Sequence, residues 1–213
     1  MTSPSAEIVN NLMSQPTWII GDTKTFQHLR LYEPELIEKE KLGGGNILTI
    51  IGLFAVINYF SKVYKILQSG KLPKENPYGK GNYFTEKEAF ITLANDFPNS
   101  IIEDKQDEIT LNKLWQTFRC DLSHIAQIKL GNRVLVLVGD QKNIPKDIVQ
   151  KFVKNNSTKP FRLINDDGFV CMVDKLITDV ESMLDWIITD IDTRFPKANI
   201  ELTNNWIRCR TVV

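Results

Sequence analysis

From Ile47 to Leu67 the chain is apolar on nearly every side of a helix, and that run limits what can surround it. Ile47, Ile50, Ile51 and Phe54 share one face, and Leu53, Val56, Ile57 and Phe60 cover most of the rest. A helix with no polar face belongs in the middle of a bundle or in a membrane. Asn58 and Lys62 interrupt the run well short of the roughly 20 consecutive apolar residues that a membrane span requires. The expectation is therefore a buried core helix. Gly43-Gly44-Gly45-Asn46 precedes it, with Asn46 as a candidate N-cap, and Ser69-Gly70 and Pro73 stop it. The glycines do not make a phosphate loop, because no Lys-Ser/Thr follows and no clear strand precedes.

The remaining periodicities point the same way. Glu7 to Met13 reads as a short helix, Trp18-Ile19-Ile20 as an apolar patch closed by the turn signal Gly21-Asp22, and Pro34 to Lys41 as another short helix. Lys71 to Tyr83, with two prolines and two glycines, reads as a loop. Thr85 and Glu88 form a capping box ahead of a helix to Asn95. Leu111, Leu114, Trp115, Phe118, Leu122, Ile125 and Ala126 recur at helical spacing between Thr110 and about Lys129. Pro145 to Val153 reads as a further short helix. Val170 to Phe195 reads as one long amphipathic helix with the stripe Val173, Leu176, Ile177, Val180, Leu184, Ile187, Ile188, Ile191. Its acidic residues Asp174, Asp179, Glu181, Asp185 and Asp190 read as a solvated face. Only Arg133 to Val138 and Phe161 to Ile164 read as strands. The expected fold class is mainly α, a helical bundle with at most a small β element. It forms one domain over residues 1–213, with a helical core at about 40–195 and an extension on either side.

Composition narrows the function. Lys plus Arg and Asp plus Glu are 26 each, so any nucleic-acid site must be a local patch of cations. The one candidate is Lys142, Lys146, Lys151, Lys154, Lys159 and Arg162 around Phe152 and Phe161, a weak docking signal whose plainer reading is a solvated loop-and-helix face. Cys120, Cys171 and Cys209 are scattered and odd in number, a pattern of reduced thiols. With only His28 and His124 beside them, no metal-ligand spacing is present, and no metal or cofactor is expected. The N-terminus has no export signal, so a cytoplasmic protein without a membrane segment is expected.

The one segment with chemical content is Phe118-Arg119-Cys120-Asp121-Leu122-Ser123-His124. Cleaving RNA without a metal needs a group of near-neutral pKa to take the 2′-hydroxyl proton and a fixed cation to hold the charge developing on phosphate. His124 suits the first role and Arg119 the second. Asp121, three residues before His124, is placed to accept a hydrogen bond from one ring nitrogen and fix the tautomer. Five helical positions turn about 500°, leaving the two side chains about 140° apart. Convergence therefore needs a distortion near Ser123 or a two-fold partner. The bland reading is that both are cations closing a helix C-terminus, where they suit the dipole. Cys120 and His124 share a helix face, but no third member or oxyanion donor accompanies them as a nucleophile pair.

An Arg, four residues and a His, late in a hydrophobic helix behind Leu114, Trp115 and Phe118, resemble the signature of HEPN domains. Gly43-Gly44-Gly45-Asn46 leading into a buried helix is similar to the first core helix of some HEPN-like bacterial proteins. The resemblance covers roughly residues 40 to 195. It implies a compact helical bundle, a homodimer, and a metal-independent endoribonuclease of the kind found in toxin–antitoxin and defence systems, with RNA and an antitoxin or other protein as partners. It also implies the rival: a non-catalytic HEPN-like module that binds a nucleotide, a nucleic acid or a protein. Catalytic members commonly carry a polar residue, often Asn, directly after the Arg; here that place holds Cys120.

Overall fold

The computed structural model describes residues 4–32, 45–74, 82–102, 107–118, 135–138, 159–164 and 168–211. Within them the fold is mainly α, with two small patches of strand. The chain opens with α1 (Pro4–Met13) and α2 (Gln15–Tyr32), joined at Ser14. Pro16 causes the break, because it has no N–H to offer the carbonyl four residues back and its ring crowds that carbonyl. At the break Ser14 Oγ donates to Asn11 O at 2.9 Å. The patch Trp18-Ile19-Ile20 lies inside α2 and not before a turn. Gly21 follows helically because Pro16, Ile20 and Thr23, at helical spacing, are all buried, and that packing outweighs one glycine's propensity cost.

The apolar run forms α3 (Gly45–Ser69), and Asn46 lies within it. Ile50, Leu53, Val56, Phe60, Val63, Ile66 and Leu67 are buried, and α3 touches helices on several sides, as its all-round apolar surface requires. Its stretch Thr49–Ser69 is long and apolar enough to cross a membrane, but most of it is covered by the rest of the protein. Each buried Leu, Ile, Val or Phe here contributes about 1.5–3 kcal/mol of transfer energy. Two glycines set its contacts. A Cβ on Gly52 would come within 3.3 Å of Ile19 Cγ2, so α2 lies tight against α3 there. Gly70 takes φ +62° and its N–H donates to Ile66 O at 2.8 Å, ending the helix in the left-handed conformation that glycine adopts without strain.

After the two-residue strands β1 (Leu72–Pro73) and β2 (Tyr83–Phe84), which pair in parallel, comes α4 (Glu86–Asp96). Its capping box is present: Glu88 N–H donates to Thr85 Oγ1 at 3.2 Å, and Thr85 N–H donates to Glu88 Oε2 at 2.6 Å. That backbone donor holds the Glu88 carboxyl below its usual range. Next is α5 (Glu108–Trp115), capped by Asp107, whose Oδ1 accepts from Thr110 N–H at 2.8 Å.

Three strands form the second patch, in the order β3 (Leu135–Val138), β5 (Gly168–Met172), β4 (Phe161–Ile164). β3 runs parallel to β5 with Leu135 opposite Phe169, and β4 runs antiparallel to β5 with Phe161 opposite Cys171. Phe161, Phe169 and Cys171 share a face and are buried in the core.

The expected helix from Val170 to Phe195 is three elements: the end of β5, then α6 (Val173–Ile188), then the single turn α7 (Ile191–Arg194). β5 pairs on both edges, so its backbone groups are satisfied by strands distant in sequence. A continuous apolar run cannot by itself separate such a strand from a buried helix. The α6 stripe is as expected, with Val173, Leu176, Ile177, Val180, Leu184 and Ile187 buried and Met183 added. α6 ends without Gly or Pro. Asp190 takes φ 55°, and the Arg194 guanidinium bonds to Trp186 O and, at 3.1 Å, to Thr189 O. The same guanidinium lies 4.7 Å from the Trp186 ring centroid, a cation–π contact.

Pro196 leads into α8 (Lys197–Thr211), which packs along α1 and α3. Asn199 Nδ2 donates to Leu67 O at 2.8 Å, so α8 supplies a donor to the carboxyl end of α3. Arg208 forks onto Glu7 at 2.6 and 2.5 Å, and this hydrogen bonding holds the Glu7 carboxyl down. Exposed as it is, that pair contributes little to stability.

Candidate functional site

The segment that carries the candidate site hangs on α5. Thr110, Leu111, Leu114 and Trp115 are the buried side of this helix, and the core continues through Thr117 and Phe118. Over residues 116–118 the helix widens into a π turn. Such turns are rare and occur mostly as single widened turns, frequently at functional sites. Phe118 is fully buried and joins three parts of the molecule. Its ring stacks on Phe54 of α3 at 5.0 Å, tilts against Phe161 of β4 at 5.0 Å, and meets Phe169 of β5 edge-on at 6.2 Å. Trp115 packs on Phe90 of α4 at 5.2 Å. The chain is thus gripped by core aromatics up to the residue before Arg119.

Arg119, Cys120, Asp121 and His124 themselves lie outside the described residues, as do the helix expected over Pro34 to Lys41, the helix expected over Pro145 to Val153, and Lys142 to Lys154 of the basic patch. Lys159 and Arg162 of that patch are described and are partly buried around β4. Of the other thiols, Cys171 is buried, and burial with Asp174 nearby pushes it well above the usual thiol range, which makes it inert. Cys209 is exposed. Among the described residues no group of three or more His, Cys, Asp or Glu side chains is placed to hold a metal ion.

One titrating group was not legible as such. Asp179 belongs to the supposedly solvated face of α6, yet its Oδ2 is shielded and accepts no hydrogen bond. Burial pushes its carboxyl up to about 6, against a smaller opposing pull from Lys159 and Lys175. The signal was present in the spacing: Asp179 is three residues after Leu176 and four before Met183, both buried. Because the folded pKa lies above the unfolded value of about 3.9, the native state binds the extra proton between about pH 4 and pH 6. Stability therefore falls as pH rises through that window, and above it the charged form is a standing cost. Asp179→Asn is expected to stabilise the protein by about 1 kcal/mol at pH 7.5, after discounting for partial exposure, with the gain vanishing near pH 4. Urea melts of the two chains at both pH values check this; an equal gain at both would contradict it.

An open cleft of about 560 Å³ lies where α1 meets α7, with the polar side chains Ser5, Asn10, Asp190, Asp192 and Thr193 set among the apolar Val9, Ile188 and Ile191. Ser5 Oγ donates to Asp192 Oδ2 at 2.7 Å, which ties the two elements together. Among the described residues the cleft's ionisable lining is the two carboxylates Asp190 and Asp192, with no histidine, cysteine or cation beside them. No family model, curated protein or solved structure matches the chain.

Proposed function

We propose that the protein is a HEPN-like, metal-independent endoribonuclease. Arg119 holds the scissile phosphate, His124 takes the 2′-hydroxyl proton, and Asp121 fixes the imidazole tautomer. The observation that carries this reading is the end of α5: buried Leu111, Leu114, Trp115 and Phe118 anchor the helix, and it widens over 116–118 directly before Arg119. A buried, aromatic-anchored helix end directly before Arg119 is the kind of support a positioned catalytic residue needs, and a two-fold partner would supply the convergence with His124. The mainly helical fold built around α3 agrees with the family that the motif resembles. Cys120, in the place where catalytic HEPN domains commonly carry a polar residue, favours the rival reading, a non-catalytic module that binds a nucleotide, a nucleic acid or a protein partner such as an antitoxin.

Two measurements bear on this reading. Purified protein incubated with mixed-sequence RNA cleaves it in excess EDTA. Activity abolished by chelation and restored by magnesium would point to a metal-ion mechanism instead. The protein also sediments as a two-fold homodimer with the Arg119–His124 segments at or near the interface, since ideal helical spacing leaves the two side chains about 140° apart in one chain. A monomer at micromolar concentration would oppose the shared site. Failure of cleavage with the dimer intact favours the binding module.

A further inference from the structure

We draw no further inference here: the strongest candidate, the exposed apolar patch that Trp18 and Ile19 of α2 make with Met13 at the end of α1, carries nothing because nothing in the structure shows what covers it.

Discussion

On the proposed function, Arg119→Ala and His124→Ala are each expected to lower the rate of RNA cleavage by about 10²- to 10⁴-fold, the range that general acid–base help and a positioned cation contribute. The urea midpoint of both variants is expected to stay close to wild type. The two losses differ in origin. Without His124 the proposed site loses the imidazole that takes the 2′-hydroxyl proton. Without Arg119 the proton can still move, but the charge growing on phosphate loses its fixed, charge-assisted hydrogen bonds. Asp121→Asn does less harm, because it loosens the imidazole's orientation and leaves its chemistry intact. Cys120→Ser is nearly silent, which separates this mechanism from one with a thiolate nucleophile. Single-turnover rates for wild type and the four variants, measured side by side, decide among these. A Cys120→Ser loss as large as that of His124→Ala would overturn the assignment.

Phe118→Ala destabilises the protein by about 3–5 kcal/mol, the usual cost of emptying a buried aromatic site. That is a large share of the roughly 5–15 kcal/mol that holds a domain together. The ring is fully buried, and its partners Phe54, Phe161 and Phe169 come from a central helix and two strands. These elements cannot all collapse into one cavity, so the loss should sit in the upper part of the range. Phe118→Leu keeps much of the volume and forfeits the ring contacts, worth about 0.5–1.5 kcal/mol per aromatic pair. Urea denaturation of both variants measures the difference. A loss below about 1 kcal/mol for Phe118→Ala would mean that Phe118 is not the anchor described above.

The sequence made α3 legible because its pattern has one physical solution: an element apolar on all sides must be surrounded. The Thr85–Glu88 capping box was legible for a similar reason, since both partners lie within one turn and their hydrogen bonds are local. What failed were elements whose partners lie far along the chain or whose local pattern is blurred. β5 merged with α6 because Phe169-Val170-Cys171-Met172-Val173 is continuously apolar, and only its pairing with β3 and β4 makes it a strand. α8 escaped notice because its buried side includes Thr203 and Asn204 beside Ile200, Trp206 and Ile207, which blurs the apolar period. The halt at Thr189–Asp190 has no Gly or Pro to announce it; it rests on Arg194 reaching back to Trp186 O. For the candidate site, the sequence supplied the residue types and spacing, and the aromatic row on α5 supplied its anchor. The depth of Phe118 at the junction of α3, β4 and β5 follows from the tertiary fold and could not be read from spacing.

The central claim is that Arg119 and His124 cleave RNA through its own 2′-hydroxyl. The chemical form of the fragment ends tests it most directly. When that hydroxyl attacks the adjacent phosphate and no metal-activated water takes part, the upstream fragment ends in a 2′,3′-cyclic phosphate. The measurement is end-group analysis of RNA treated in EDTA with wild type and with His124→Ala. The account predicts cyclic phosphate ends from wild type and none above background from His124→Ala. Intact RNA with the wild-type protein, 3′-hydroxyl ends, or equal cleavage by the His124→Ala chain would contradict it.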